Sequence, residues 1–193
     1  MSARGGLRVL FVTGNRHKFE EAKAVAESLG VSLVQARLRK LEIQSDDLRE
    51  IAVFSSRSVR SHLSGETYIV EDAGLFIHSL GGFPGPYSSY VYRTIGCEGV
   101  LKLLAGVEDR RATFRSVVVL HDPRLGEHVF VGETRGAISR EARGSGGFGF
   151  DPIFVPEGES RTYAEMTLSE KNALSHRAKA VRGALSFLVS EAR

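Results

Sequence analysis

Two short segments near opposite ends of the chain carry residue types suited to binding phosphate and a planar base. The first is Thr13-Gly14-Asn15 with Lys18, which comes directly after the apolar run Val9 to Val12. Free backbone N–H groups at a helix start, a glycine and a lysine charge all favour phosphate. The second is Ser175-His176-Arg177, which follows Lys171 and offers clustered donors. Together they predict a nucleotide held by its phosphates at one end and by keto oxygens of its base at the other.

The first segment also fits a purely structural role. Asn15 is a good N-cap residue, and Lys18 would pair with Glu20 or Glu21 on a solvated helix surface. The P-loop pattern GxxxxGK[ST] does not occur in the chain. These residues alone therefore leave a phosphate site and a plain helix cap as equal alternatives.

Acidic residues follow two of the predicted strands. Glu71-Asp72 comes after the short run Tyr68-Ile69-Val70, and Glu42 lies just beyond the second strand. In α/β proteins the carboxyl ends of strands meet at the edge of the sheet where ligands bind. Carboxylates there would ligate Mg²⁺ between phosphates or polarise an attacking water. The alternative is that these acids only cap the turns that follow.

A glycine-rich segment matches the letters of a dinucleotide-binding loop. Gly144 to Gly149 fit G-x-G-x-x-G, a pattern that requires a helix to begin there. The next residues, Phe150 to Pro156, are rich in proline and β-forming side chains, which disfavour a helix. We therefore reject a Rossmann motif and predict a glycine loop that presents Phe148 and Asp151. A flexible loop with a core phenylalanine is the competing interpretation.

The basic residues near the C-terminus lie on a predicted helix from Ser169 to about Ala192. Apolar residues fall on one helical stripe of this segment, namely Leu174, Ala178, Val181, Leu185 and Leu188. Lys171 and Arg177 are six positions apart and do not share a stripe. They would converge on one ligand if it lies near the N-terminal part of the helix or if the helix begins late. By themselves they are typical of a solvated helix face.

Strands and helices must alternate to position these residues. Apolar runs and helical spacings predict a strand at 8–13, a helix at 15–29, a strand at 31–38, a helix after Asp47, a strand at 68–70, a short helix at 98–104 and an antiparallel hairpin at 112–132. This order indicates an α/β protein with a mixed sheet.

Bulk properties restrict the class of protein. The 193 residues, 42% of them hydrophobic and 25% charged, predict a single globular domain spanning residues 1–193. A net charge of +3 without blocks of like charge gives no support for a nucleic-acid surface. Met1 to Gly6 lacks a signal core, no apolar run approaches the ~20 residues of a membrane helix, and the single cysteine, Cys97, excludes an intrachain disulfide. We expect a cytoplasmic protein that binds neither nucleic acid nor a membrane.

Taken together, these segments resemble the inosine triphosphate pyrophosphatase family. Each segment is common alone, whereas the set in this order is specific, and it extends from near residue 8 to near residue 190. The matching segments are Thr13-Gly14-Asn15 with Lys18 and Glu21, Glu71-Asp72, Gly81 to Tyr87, Phe148 to Pro152, Thr162 to Met166, and Glu170-Lys171-Asn172 running into Ser175-His176-Arg177.

The resemblance implies both a fold and an activity. The fold would be an elongated α/β structure, in which a long, twisted mixed sheet with flanking helices forms two lobes around a central nucleotide-binding cleft. The activity would be Mg²⁺-dependent hydrolysis of ITP, dITP and XTP to the nucleoside monophosphate and pyrophosphate, which cleanses the nucleotide pool. Members of the family are usually homodimers.

The resemblance also implies a role for each matching residue. Asp72 would accept the proton of the attacking water, and Glu42 and Asp72 would hold the metal. The triphosphate would be bound by Thr13, Gly14, Asn15, Arg16, His17 and Lys18. The nucleoside pocket would be lined by Ala73, Phe148, Gly149, Phe150, Asp151, Lys171, His176 and Arg177.

Base selection would then depend on hydrogen-bond complementarity. Phe148 would stack on the purine, while His176 or Arg177 would donate to a 6-keto oxygen and leave the 6-amino group of adenine without an acceptor. Because GTP also has a 6-keto group, its rejection requires a separate feature that disfavours the 2-amino group.

One position departs from the family's pattern. Many relatives carry a lysine in the second helix that reaches the phosphates, and the match of Glu50-Ile51-Ala52 places Ser55 there. Our hypothesis is that Arg57 or Arg60 compensates for this lysine, or that Lys18 suffices.

Two other functions compete with this one. A Maf-like nucleotide pyrophosphatase shares the general architecture but prefers other nucleotides, and Ser175-His176-Arg177 favours the purine enzyme. A nucleotide-binding module without turnover, with a basic surface for RNA, is disfavoured by the presence of Glu42, Asp72 and Lys18. Such a module would bind RNA in a strongly salt-dependent manner without hydrolysis.

Overall fold

The computed structural model describes residues 7–192, so Met1 to Gly6 and Arg193 lie outside the described residues. Seven strands form one sheet. They are β1 (Arg8–Val12), β2 (Ser32–Ala36), β3 (Tyr68–Ile77), β4 (Pro84–Gly85), β5 (Arg111–Asp122), β6 (Gly126–Ile138) and β7 (Phe154–Pro156).

In the described part of the chain, six α-helices flank the sheet: α1 (Arg16–Ser28), α2 (Leu48–Val59), α3 (Ser88–Thr94), α4 (Gly96–Leu103), α5 (Leu168–Leu174) and α6 (His176–Glu191). The cap residues set their starts. The Asn15 side chain accepts a hydrogen bond from Lys18 N, and the Asp47 side chain accepts one from Arg49 N. Within residues 7–192, no helix is long and apolar enough to cross a membrane.

The strand order is β2-β1-β3-β5-β6-β7, with β4 on the side of β3. Strands β1, β2 and β3 run parallel, whereas β5, β6 and β7 are antiparallel to their neighbours. The predicted hairpin is the pair β5 and β6, and the glycine loop leads into β7 instead of a long helix. The predicted α/β class with a mixed sheet is confirmed.

Residues on one face of β5 belong to two separate hydrophobic cores. Ala112 and Phe114 pack in one core, and Val118 and Leu120 pack in the other. Ser116, on the same face because alternate strand residues point the same way, is fully buried between them. The long strands β3 and β5 thus run through both cores, with a polar position where the cores meet.

The sheet has a gap beside this polar position. Strand β1 ends at Val12, opposite Val70 of β3, and β4 pairs only with Leu75 and Phe76. In the described part of the chain, residues 71–74 of β3 are therefore paired only with β5. The gap is the place where the carboxylates of β3 can meet groups from the end of β1.

The predicted end of β3 at Val70 is wrong. The strand continues to Ile77, so Glu71 and Asp72 lie in its middle. Leu75 and Ile77 are fully buried in the second core, and pairing with β5 extends through all of β3. These tertiary contacts override the polar pair that indicated a strand end. Both carboxylates nevertheless lie at an edge, because β1 has already ended.

The single C-terminal helix predicted for Ser169 to Ala192 is also wrong. The helix is interrupted at Ser175, whose backbone is extended (φ −71°, ψ 146°). Ser175 ends α5, and its hydroxyl accepts a hydrogen bond from Ala178 N (3.2 Å) as the N-cap of α6. This break changes the direction of the chain between Lys171 and Arg177.

A close backbone approach makes Gly132 of β6 sensitive to substitution. A β-carbon there would lie 2.0 Å from His176 O and 2.6 Å from Ala180 N at the start of α6. We expect Gly132→Ala to lower the free energy of unfolding by about 1–3 kcal/mol, since β6 or α6 must shift. Gly183→Ala is the matched control, because its β-carbon would make ordinary 3.4 Å contact with Phe130 Cδ1. Urea denaturation measures both, and an unchanged midpoint for Gly132→Ala would contradict the expectation.

Candidate active site

Glu71 and Asp72 project to opposite faces of the sheet at the gap. Glu71 lies opposite Val118, which packs in the core formed with α1 and α6. Asp72 lies opposite Val117, which packs against Leu48 and Ala52 of α2. Adjacent strand residues alternate in this way. A ligand at the gap can therefore meet one carboxylate from each face.

A buried network of ion pairs lies on the Glu71 side. It contains three carboxylates and three cationic side chains, contributed by β3, α1, α5, α6 and the loop before β7. The carboxylates are Glu21, Glu71 and Asp151, and the cations are Lys18, Lys171 and Arg177.

Within this network, Glu71 has a partner for each oxygen. Its Oε1 accepts hydrogen bonds from Ser116 Oγ (2.7 Å) and Arg177 Nε (3.0 Å), and its Oε2 lies 2.8 Å from Lys18 Nζ. Complete burial opposes ionisation, but Arg177, Lys18 and Ser116 outweigh it and hold the pKa of Glu71 well below its ordinary value. Glu71 is therefore a permanent anion that orients Lys18 and Arg177.

Glu21 joins the two C-terminal helices. Its Oε1 lies 2.5 Å from Lys171 Nζ, and its Oε2 pairs with Arg177. Lys171 Nζ also lies 2.6 Å from Asp151 Oδ2. Burial opposes ionisation of Glu21, but the charges of Arg177 and Lys171 hold its pKa below the ordinary value. The break at Ser175 is what allows both cations to reach one carboxylate.

The segment predicted to bind phosphate forms a tight turn after β1. Thr13 N donates to Ala36 O (3.1 Å), Asn15 N donates to Thr13 Oγ1 (3.1 Å), and Lys18 N donates to Asn15 Oδ1 (3.2 Å). A β-carbon at Gly14 would have no neighbour within 4 Å. The backbone of Gly14 is therefore open to an anion, next to the first N–H groups of α1.

Phe148 lies above the cations of the network. Lys171 Nζ is 5.1 Å and Arg177 Cζ is 5.3 Å from the centre of its ring. The His17 ring is stacked on it at 5.2 Å and 13°. Asp151 Oδ2 accepts a hydrogen bond from Phe148 N (2.8 Å), which fixes the glycine loop. A flat aromatic surface thus lies between α1 and the C-terminal helices.

His176 is a buried, neutral residue. Its ring is stacked on Phe114 at 4.6 Å and 6°, and Nδ1 has no hydrogen-bond partner in the described structure. Complete burial and the nearby charges of Arg177 and Lys171 lower its pKa well below the ordinary value. His176 can therefore offer one N–H donor and one acceptor, but no positive charge.

Asp72 shares the opposite face with Glu42. Burial raises the pKa of Asp72; Lys18 and Lys40 lower it in part, and the charges of Glu71 and Glu42 raise it. Lys40 Nζ lies 2.5 Å from Glu42 Oε1 and holds the pKa of Glu42 below the ordinary value, although partial burial opposes this. The site therefore contains a carboxylate suited to accept a proton beside one that stays ionised.

The available carboxylates fit Mg²⁺ coordination that is shared with a phosphate ligand. No group of three or more His, Cys, Asp or Glu side chains arranged for a metal occurs among residues 7–192. Mg²⁺, however, is usually held by one or two carboxylates together with substrate phosphates and water. Burial is the main cause of the raised pKa of Asp72, and the charges of Glu71 and Glu42 add to it, so a cation bound between Asp72 and Glu42 would favour the ionised form of Asp72.

The structure separates some of the sequence-predicted site residues from the rest. Arg16 is exposed and lies 3.7 Å from Glu20 on the surface of α1. Phe150 is buried in the second core, where the Tyr92 ring meets it edge-on at 5.4 Å. Gly149 lies beside this core, and its carbonyl accepts a weak hydrogen bond from Cys97 Sγ (3.5 Å). The side chains of Arg16 and Phe150 and the carbonyl of Gly149 thus have partners outside the ion-pair network.

Sequence reasoning considered Glu71 only together with Asp72 and assigned no individual role to Glu21, Ser116 or Lys40, although all four have contacts in the site. Glu21 lies one helical turn from Lys18, so the sequence indicated an ion pair between them at the surface. Glu71 was not considered separately because the adjacent Asp72 already explained the acidic pair. A signal for Glu71 was available, since a carboxylate at the end of a buried strand segment requires cationic partners.

Fold and site together define a mixed α/β protein with a gap in its sheet, lined by buried ion pairs and by an aromatic surface. The chain belongs to the Ham1 family, whose model matches residues 9–187. This confirms the family resemblance found in the sequence.

Relatives and solved structures agree with this assignment. The dITP/XTP pyrophosphatase of Thermococcus kodakarensis is 48% identical over 94% of this chain and 97% of its own length, and that of Saccharolobus solfataricus is 46% identical over 97% and 96%. The Staphylococcus aureus Ham1 protein superposes with a TM-score of 0.81 at 28% identity, covering 95% of this chain and 99% of that protein.

Removing the shared carboxylate should destabilise the protein. We expect Glu21→Gln to lower the free energy of unfolding by about 3–5 kcal/mol, because Lys171 and Arg177 remain buried without their common partner. Glu20→Gln is the matched control on the same helix, where the exposed pair with Arg16 contributes at most about 1 kcal/mol. Equal unfolding midpoints of the two variants in urea would contradict a stabilising role for the network.

Proposed function

We propose that this protein hydrolyses non-standard purine nucleoside triphosphates, namely ITP, dITP and XTP, to the nucleoside monophosphate and pyrophosphate. The observation that carries the proposal is the convergence of Lys18, Asp72 and Phe148 on one gap in the sheet. Lys18 lies 2.8 Å from Glu71, and its charge also acts on Asp72. Phosphate-binding, proton-accepting and base-stacking groups are therefore within the span of one nucleotide. The family and the names of its relatives support the same reaction.

The triphosphate binds at the turn after β1. Open backbone at Gly14 and the first N–H groups of α1 meet phosphate oxygens, and Lys18 neutralises charge on the leaving pyrophosphate. Glu71 holds Lys18 in place without competing for protons, because its pKa is depressed. This end of the site therefore stabilises negative charge as it develops.

Asp72 accepts the proton of the attacking water. Its raised pKa, caused by burial and by the neighbouring carboxylates, makes it a better proton acceptor than an exposed aspartate. Water directed at the α-phosphorus breaks the bond to the β-phosphate and gives the monophosphate and pyrophosphate. Glu42 and Asp72 would hold Mg²⁺, which supplies charge neutralisation and phosphate orientation when bound.

The purine stacks on Phe148 in the place where His17 lies. His17 is exposed and stacked almost parallel to Phe148, so it occupies a surface that accepts a planar ring. Arg177 lies 5.3 Å from the centre of the Phe148 ring, and Arg177 and the adjacent His176 supply donors for a 6-keto oxygen. Because Arg177 is already fixed by Glu21 and Glu71, its remaining N–H groups are preorganised.

Asp72→Asn tests the chemical step. We expect Mg²⁺-dependent release of pyrophosphate from ITP by the unchanged protein, and a loss of about 10²–10⁴-fold in kcat for the variant, since amide cannot accept the proton. Asp109→Asn, at an exposed aspartate paired with Arg111, is the matched control and should retain full activity. Products are identified by ³¹P NMR, with ¹⁸O-water locating the oxygen in the monophosphate. Release of orthophosphate, or ¹⁸O in pyrophosphate, would overturn the reaction.

We further propose that two copies associate through an aromatic surface on β4, α3 and the start of α4. Large side chains are exposed there within a short stretch of chain, namely Phe83, Tyr87, Tyr90, Tyr92 and Ile95. Exposed apolar groups at this density are typical of a protein–protein interface. We expect this homodimer to act in the cytoplasm, on free nucleotides.

The assembly is tested at the centre of this surface. Tyr90 is 64% exposed, so its substitution does not disturb the core. We expect Tyr90→Asp to shift the protein from dimer to monomer in sedimentation velocity experiments, because a charge would be buried at the interface. Leu168→Asp, at an exposed leucine that belongs to α5 and not to the elements of this surface, should leave the dimer intact. A monomeric unchanged protein would refute the proposal.

A further inference from the structure

The segment between β2 and α2 delivers a lysine to the carboxylates of the site. Thr13 N donates to Ala36 O (3.1 Å), and Gln35 Nε2 donates to Thr13 O (3.0 Å), so the ends of β1 and β2 are joined. Because β1, β2 and β3 are parallel, the chain leaving Ala36 begins at the same edge as the turn that precedes α1. Lys40 lies four residues farther along.

Two hydroxyl groups of α2 fix the backbone beside Lys40. Leu41 N donates to Ser58 Oγ (3.0 Å), and Ser55 Oγ donates to Leu41 O (2.9 Å). Ser55 is fully buried, so this contact is shielded from water. With both polar groups of Leu41 satisfied by one helix, the side chains of Lys40 and Glu42 on either side are held in place.

Lys40 is buried to a degree that is unusual for a surface lysine. Its side chain is 17% exposed, against 55% for its partner Glu42 and 46% for Lys23 on α1. Its ammonium group lies 2.5 Å from Glu42 Oε1. A surface lysine without a specific partner would keep its long side chain in water.

Lys40 also shares the electrostatic environment of the proton acceptor. Its charge lowers the pKa of Asp72, as does the charge of Lys18, and Lys18 in turn acts on Glu42. Two lysines therefore flank the two carboxylates. Lys18 is additionally paired with Glu71, whereas Glu42 is the ion-pair partner of Lys40 in the described structure.

We propose that Lys40 is a second phosphate-binding residue of this site, which exchanges the Glu42 carboxylate for a triphosphate oxygen when the nucleotide binds. This inference rests on the proposed pyrophosphatase function. While Lys40 pairs with Oε1, its charge competes with a cation for the Glu42 carboxylate. The arriving phosphate gives Lys40 a new partner and leaves that oxygen of Glu42 free. Ser55 and Ser58 act as positioning residues, because they hold Leu41 between the exchanging groups.

The arginines considered from the sequence have different partners. Arg57 Nη2 lies 2.9 Å from Glu127 Oε1, and Arg60 Nη2 lies 3.0 Å from Glu127 Oε2. Glu127 is opposite His121, which is opposite Tyr68, four residues before Asp72 and hence roughly 13 Å away along β3. Lys40, not Arg57 or Arg60, is the cation that the fold brings to the carboxylates.

The proposal is tested with Lys40→Ala, Lys40→Arg and the control Lys23→Ala, whose lysine pairs only with an exposed glutamate. Inorganic pyrophosphate binding is measured by calorimetry with Mg²⁺, and kcat and KM are measured with ITP. A charge-assisted hydrogen bond corresponds to about 10- to 100-fold in affinity. We expect Lys40→Ala to weaken pyrophosphate binding and raise KM by at least tenfold, Lys40→Arg to recover most of this loss, and Lys23→Ala to have no effect.

Unchanged pyrophosphate affinity in Lys40→Ala would overturn the proposal. So would tighter binding or higher activity in that variant, because Lys40 would then only block Glu42. Failure of the proposed function would be distinguishable from failure of the Lys40 proposal, because the unchanged protein itself would then release no pyrophosphate from ITP. Circular dichroism of each variant establishes that the fold is retained.

Discussion

One buried carboxylate, Glu21, compensates two buried cations, and the arrangement of the molecule around its site depends on this interaction. Lys171 and Arg177 are brought to it from separate helices. A charge removed from water destabilises a protein unless it is paired and hydrogen-bonded. The positions of α1, α5 and α6 are therefore mutually dependent, and Asp151 adds the glycine loop to the same network through Lys171.

This network explains how opposite ends of the chain form one site. Glu71 extends the network into the sheet, where Ser116 and Lys18 meet it. The three carboxylates of the network are paired with cations inside the protein, so they orient neighbouring groups more than they react. Under the proposed function, the reactive side of β3 would be the face that carries Asp72, whose pKa is raised by burial. Structural and chemical tasks would then be divided between two adjacent residues of one strand.

The sequence predicted features that depend on local physics and missed those that depend on distant partners. The Asn15 cap and the β5–β6 hairpin follow from short-range patterns, and both are present. The break at Ser175 is not visible locally, because apolar spacing continues through it and the extended backbone is stabilised by the pairs that Lys171 and Arg177 make. The extension of β3 to Ile77 likewise requires ten residues of pairing with β5. Glu21 could not be recognised as buried, since its partners are 150 and 156 positions away.

The gap in the sheet has a mechanical consequence. The two cores are joined by the long strands β3 and β5, and Ser116 marks their boundary. A change in the angle between the two cores must therefore be accommodated by additional twist of β3 and β5. This twist would be distributed over many inter-strand hydrogen bonds and not concentrated at a flexible loop. Under the proposed function, a nucleotide in the gap would take the position that a longer β1 would occupy. The bound nucleotide would stiffen the sheet as an added strand would. The stiffness of the fold would then depend on whether the ligand is bound.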